Sequence, residues 1–221
     1  MIELPHFESA FDYENAFYLS CEPSRVGKLL AHYELYRRCT TLAGAVVECG
    51  VFKGASFARF AMFRELLESA AARKLIGFDA FGAFPETRHA ADQALRRRFI
   101  ENSGAEGIGR DQLLEVLRRK RADLGVELIA GDVSDTVPRY VSENPQLRIA
   151  LLNLDVDVYE PSVTALEHLF PRVVVGGVVL LDDYGVFPGE TKAVDDYFRD
   201  AKQEIRRFPF AMTPSYVIKD R

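Results

Sequence analysis

With 221 residues, 48% of them hydrophobic and 28% charged, the chain is long enough for one larger α/β domain and short for two. Its formal net charge of −5 and pI of about 5.5 argue against non-specific attraction to nucleic acid or anionic membrane. The stretch Met1 to His6 lacks the basic start and apolar core of a signal peptide, and no apolar run approaches the ~20 residues of a membrane span. Cys21, Cys39 and Cys49 have neither zinc-knuckle nor paired redox spacing, so a reducing cytoplasm is the expected home.

In chain order, residues 1–44 read as a mostly helical N-terminal cap, with Val26, Leu29, Leu30 and Tyr33 on one face. The β-branched run Ala45–Cys49 ends at Gly50, and Leu75–Phe78 ends at Asp79. Residues 83–124 hold two charged helices inserted after the second strand, around Arg96-Arg97-Arg98 and Arg118-Arg119-Lys120-Arg121. A solvated helix face suits those basic runs better than a lid that holds an anionic substrate. Glu127–Ala130 then ends at Gly131-Asp132, Ile149–Leu154 at Asp155, and Val178–Leu181 at Asp182-Asp183. Between these runs the period becomes helical. Val163, Leu166, Leu169 and Phe170 share a face after Pro161, and Ala193, Val194, Tyr197, Phe198 and Ala201 share another. Ile205 to Pro209 and Ser215 to Lys219 read as two short closing strands. Continuous apolar runs suit strands buried on both faces, and their alternation with helices implies right-handed βαβ units. The fold class is α/β, a doubly wound, mostly parallel seven-stranded sheet forming one domain over 1–221.

Five strands end in or beside an acidic residue. Ligands of open α/β sheets bind outside those ends, near the point where strand order reverses. After the first strand, Glu48-Cys49-Gly50-Val51-Phe52-Lys53-Gly54-Ala55-Ser56 allows a tight turn and close ligand approach at Gly50 and Gly54, with Ser56 able to cap the next helix. It is neither GxGxxG nor a P-loop, which disfavours a nucleotide-dependent oxidoreductase. Asp79 is placed to accept both hydroxyls of a ribose, and Asp132 to bond an adenine amino group. If the fourth and fifth strands are neighbours, Asp155, Asp182 and Asp183 converge. Three carboxylates that close repel unless a cation compensates, and an oxygen-only set suits Mg²⁺, Ca²⁺ or Mn²⁺. Helix capping by Asp155 and a polar turn at Asp182-Asp183 is the structural alternative. His6, His89 and His168 read as surface residues.

At these residues the chain resembles the macrocin O-methyltransferase family, the TylF/MycF-type sugar methyltransferases of antibiotic biosynthesis. The likeness runs through Val47 to Gly54, Gly77 to Phe81, Leu154 to Glu160, Pro171 to Gly177, Leu181 to Tyr184 and Gly189 to Asp195. Two departures stand out: Val156 replaces the glycine usual between the two acids of the fourth strand, and the chain is shorter than the macrolide enzymes. The resemblance implies a class I methyltransferase (Rossmann-like) fold with S-adenosylmethionine over the first three strands, touched by Glu48, Gly50, Val51, Gly54, Ser56, Asp79 and Asp132. It also implies Mg²⁺ (or Mn²⁺) on Asp155, Asp182 and Asp183, with Asp155 the candidate base and Asp157 the alternative. The expected partner is a small-molecule hydroxyl acceptor, a vicinal diol on a sugar, closed over by the 83–124 helices as a lid. A catechol offers the same pair of oxygens, and a non-catalytic S-adenosylmethionine-binding relative is the third reading. Neither nucleic acid nor membrane is an expected partner; a homo-oligomer is compatible with all of this.

Overall fold

The computed structural model describes residues 1–84, 86–201 and 203–220. Seven strands form one sheet in the order β3-β2-β1-β4-β5-β7-β6. They are β1 (Ala45–Cys49), β2 (Leu75–Asp79), β3 (Val126–Ala130), β4 (Ile149–Leu154), β5 (Val173–Leu181), β6 (Arg206–Arg207) and β7 (Ser215–Ile218). The first five run parallel, while β7 is antiparallel to β5 and β6 antiparallel to β7, so the sheet is mixed.

Burial explains the apolar runs. Every residue of β1 and β4 is buried, because helices cover both faces of these central strands. On one face lie α6 (Val133–Glu143), α7 (Tyr159–Leu169) and α8 (Pro188–Phe198), which contribute Val137, Leu166 and Val194. On the other lie α2 (Pro23–Cys39), α3 (Ala55–Leu67) and α5 (Arg110–Arg119), which contribute Leu35, Phe57, Phe60, Leu113 and Leu117. β3, at the sheet edge, is only half covered, which departs from the two-sided burial expected of it.

Three other expectations change. The buried stripe of α2 is Gly27, Ala31, His32, Leu35, Tyr36 and Cys39, whereas Val26, Leu29 and Tyr33 flank it and Leu30 is exposed. The lower half of the helix sets its rotation through Leu35, Tyr36 and Cys39, and Gly27 is pressed so close to the Phe210 carbonyl that a Cβ would sit 2.5 Å from it. The 83–124 segment is split: α5 belongs to the core through Leu113 and Leu117, while α4 (Asp92–Ser103) buries only Asp92. Arg97, Arg98 and residues 118–121 are exposed, as a solvated face requires. The helix α8 stops at Phe198, leaving Ala201 outside it and exposed. The first long helix, α1 (Ala10–Ser20), buries none of its residues.

Candidate active site

Strand order reverses between β1 and β4, and chain register then assembles the site. Cys49 pairs with Leu154 and Leu154 with Leu181, so Gly50, Asp155 and Asp182 leave the sheet side by side. Two further ladder bonds hold them in step, from the Asp155 amide to the Cys49 carbonyl and from the Asp182 amide to the Leu154 carbonyl, both 2.9 Å. Gly50 has a φ of +87°, and a Cβ there would stand 1.6 Å from the Asp155 carbonyl oxygen. The glycine is thus required by a crossing backbone. Gly54, at φ +82°, starts α3 and packs towards Leu113 and Ile108, away from the cavity. Ser56 does not cap α3, which begins a residue earlier; its hydroxyl donates to the Glu48 carboxylate instead.

A cavity of about 340 Å³ opens beside this line of residues, with Gly50, Asp79, Asp132, Ser134, Asp155 and Asp157 in its wall. Glu48, Val51, Gly54 and Ser56 do not border it. Glu48 lies wholly within the sheet, where burial pushes its carboxyl up to about 8 against the opposing pull of Ser56 and Asn153. Asp79 staples the loop after β1: its Oδ2 accepts from the Val51 and Phe52 amides at 2.7 and 3.0 Å, and its Oδ1 from Phe81 at 2.6 Å. A carboxylate has about four lone-pair sites, so these three bonds leave acceptor capacity beside the cavity. Both Phe52 and Phe81 hold positive φ angles beside this staple. Asp132 is the N-cap of α6, with Oδ1 accepting from Ser134 at 2.7 Å.

At the second half of the site, Asp155, Asp182 and Asp183 each bring an oxygen within 4.8 Å of the others. Asp157, at φ +62°, lies close enough to Asp183 for the two carboxyls to influence each other, and the Asp183 amide donates to Glu190 Oε1 at 2.9 Å. Burial first, then the neighbouring negative charges, raises Asp155, Asp157, Asp183 and Glu190 well above the ordinary carboxylate range. Asp182 goes the other way, to about 2. Burial is the largest single influence and would raise it, but the Lys28 ammonium and the His32 ring together outweigh that cost. Lys28 Nζ stands 2.5 Å from Asp182 Oδ2, and His32 Nε2 lies 3.8 Å from Asp182 Oδ1. The His32 ring stacks on Phe60, and burial lowers it to about 4, leaving it neutral.

Lys28, His32 and Glu190 were missing from the sequence reading. Their signal was available: Lys28 and His32 are one helical turn apart, and Glu190 opens the helix that follows Asp183. Both are visible only once it is known which helix faces the strand ends.

Comparison with known proteins follows the same outline. A family model for macrocin O-methyltransferases (TylF) matches residues 31–208. The 8-demethyl-8-(2,3-dimethoxy-alpha-L-rhamnosyl)-tetracenomycin-C 4'-O-methyltransferase of Streptomyces olivaceus is 34% identical over 160 residues, covering 70% of this chain and 58% of its own. The demethyldecarbamoylnovobiocin O-methyltransferase of Streptomyces niveus is 30% identical over 162 residues, with the same two shares of 70% and 58%. This chain therefore spans less than two thirds of the length of either relative. Among solved structures, the calicheamicin methyltransferase CalS11 superposes with a TM-score of 0.77 at 28% identity, covering 94% of this chain and 84% of that one. By the family match over most of its length, and by the sheet and strand-end residues that carry it, the chain belongs to the macrocin O-methyltransferase family.

Proposed function

We propose that the protein is an S-adenosylmethionine-dependent O-methyltransferase that acts on one hydroxyl of a vicinal diol, on a sugar of a glycosylated natural product. In this reading a divalent cation, Mg²⁺ or Mn²⁺, is held by Asp155, Asp182 and Asp183, and the enzyme works in the cytoplasm. No described helix is long and apolar enough to cross a membrane. The observation that carries the reading is the meeting of those three carboxylates within 4.8 Å, with Asp155 also in the wall of the cavity. Both sugar-named relatives, the rhamnosyl-tetracenomycin enzyme and the TDP-rhamnose methyltransferase CalS11, support the acceptor class.

The residues present fit the groups this reading needs. Asp182 Oδ1, Asp183 Oδ2 and Glu190 Oε2 are buried without partners, which a dry acidic cluster tolerates poorly in the absence of a cation. On the cofactor side, Asp79 and Asp132 both line the cavity.

If bound, the sulfonium would supply an electrophilic methyl group, and a cation on Asp155, Asp182 and Asp183 would lower the pKa of an acceptor hydroxyl. The chain's own part is to position, dry and deprotonate. Asp79 and Asp132 fix the nucleoside end of the cavity. Asp155, facing both the cavity and the cluster, takes the acceptor proton, and Asp157 is the alternative base at the same wall. Residues 86–109, which include α4, close over the acceptor and exclude water, since α5 is committed to the core. Phe52 and Phe84 give that side of the cavity an apolar surface.

Chelation and substitution test this directly. Methyl transfer should vanish on exhaustive chelation and return with Mg²⁺, and Asp155→Asn, Asp182→Asn and Asp183→Asn should each lose about 100-fold or more in rate while keeping the fold, as expected when a charge-stabilising group is removed. Full activity after chelation would reduce the cluster to a capping arrangement.

A further inference from the structure

We propose that Lys28 is the resident counter-cation of the carboxylate cluster, and that α2 and a divalent metal ion compete for Asp182. This rests on the metal reading above and adds to it a device that sets metal affinity. Asp182 is nearly inaccessible to solvent, and its Oδ2 is held by Lys28 Nζ at 2.5 Å. That ammonium also lies within electrostatic range of Asp155 and Asp183. One helical turn on, His32 aims Nε2 at Asp182 Oδ1 from 3.8 Å, too far for a hydrogen bond, so that oxygen and that nitrogen are both left without partners.

Fully ionised, three carboxylates and one ammonium would carry two net negative charges, which a single divalent cation would balance. A cation entering the cluster meets Lys28 at short range in a poorly hydrated setting, where like charges repel strongly. It must either share Asp182 with the ammonium or displace it. Lys28 sits on a helix outside the sheet, and its side chain retains 19% exposure, so it has a path outward. Metal binding and the Lys28 contact are then linked and oppose each other, and the linkage is reciprocal.

The test is calorimetric titration of Mn²⁺ into wild-type, Lys28→Met and Lys28→Arg proteins at about pH 8, where the carboxylates are more fully ionised. Lys28→Met should bind Mn²⁺ at least ~10-fold more tightly, with a lower melting temperature in chelator and a larger upward shift on adding metal. Lys28→Arg, which keeps the charge, should stay within about threefold of wild type. Structural damage alone would weaken binding, so a tighter site is the informative direction. An unchanged or weakened affinity in Lys28→Met overturns the proposal while leaving the metal site standing. Absence of Mn²⁺ binding by the wild-type protein removes the metal reading and this inference with it. A second readout needs no variant: modification of Lys28 by an amine-reactive acetyl ester, followed by mass spectrometry, should speed up several-fold with saturating Mg²⁺. A rate that stays level or falls would also overturn the competition.

Discussion

Glu48 is a carboxylic acid in the middle of a parallel sheet, with its Oε1 taken by the Ser56 hydroxyl and its Oε2 unpartnered. Burial holds it near 8, against an ordinary value of 4.5 in the unfolded chain. The native state therefore keeps a proton that the unfolded state releases. Its stabilising contribution is complete below about pH 4.5 and is lost as pH rises through about 8. Glu48→Gln preserves the shape and stays neutral, so in chelator it should come close to wild type near pH 5 and exceed it by roughly 5 kcal/mol at most near pH 9. Melting curves across that range check this, and parallel curves for the two proteins would contradict it. The same residue shows why the acidic strand ends were only partly legible. Their position follows from apolar runs that stop, which a sequence displays. Whether an acid faces inward or outward depends on the alternation of the strand, and Glu48 lies within β1 whereas Asp155 lies beyond β4. Gly50 was legible as a constrained position, but the constraint is the Asp155 carbonyl, which only the pairing of β1 with β4 brings near.

Asp92, the first residue of α4, works at the scale of elements. Its Oδ1 accepts from the Gly189 amide at 2.7 Å and its Oδ2 from the Tyr159 amide at 3.1 Å. It thus ties the inserted helix to the starts of both α7 and α8, the helices that follow the two acid-bearing loops. A negative charge at two helix N-termini is favourable, and Gly189 is pressed so close that a Cβ would collide with the carboxylate. Asp92→Ala should leave two amides without acceptors and cost about 2–4 kcal/mol, with faster hydrogen exchange at Gly189 and Tyr159. Denaturation and exchange measurements equal to wild type would show that the clasp contributes nothing. Helices were read from the sequence through their apolar period, and that worked for α7 and α8. It misplaced the buried face of α2, because His32 fills a core position next to Asp182 and polar residues do not enter an apolar count. The split of the insertion was equally hidden, since α4 and α5 carry similar charge and only Leu113 and Leu117 find the core.

At the scale of the whole molecule, one feature organises the rest: a mixed seven-stranded sheet whose order reverses between β1 and β4. That reversal sets the cavity beside Gly50, and the neighbouring β4 and β5 bring Asp155 next to Asp182 and Asp183. The Asp79 end and the acidic end of the site are therefore fixed by strands, while α2 and α4 approach from outside. Such a division suits a reaction in which geometry between two bound molecules decides the rate. The most direct test of the account is methyl transfer from S-adenosylmethionine, with Mg²⁺, to rhamnosides and related glycosides paired with their single-deoxy analogues. The account predicts Mg²⁺-dependent methylation of the vicinal diols and a loss of about 100-fold or more when the hydroxyl next to the methylated one is missing, since positioning through that oxygen is removed. Equal turnover of diol and deoxy compounds, or methylation indifferent to Mg²⁺, would contradict it.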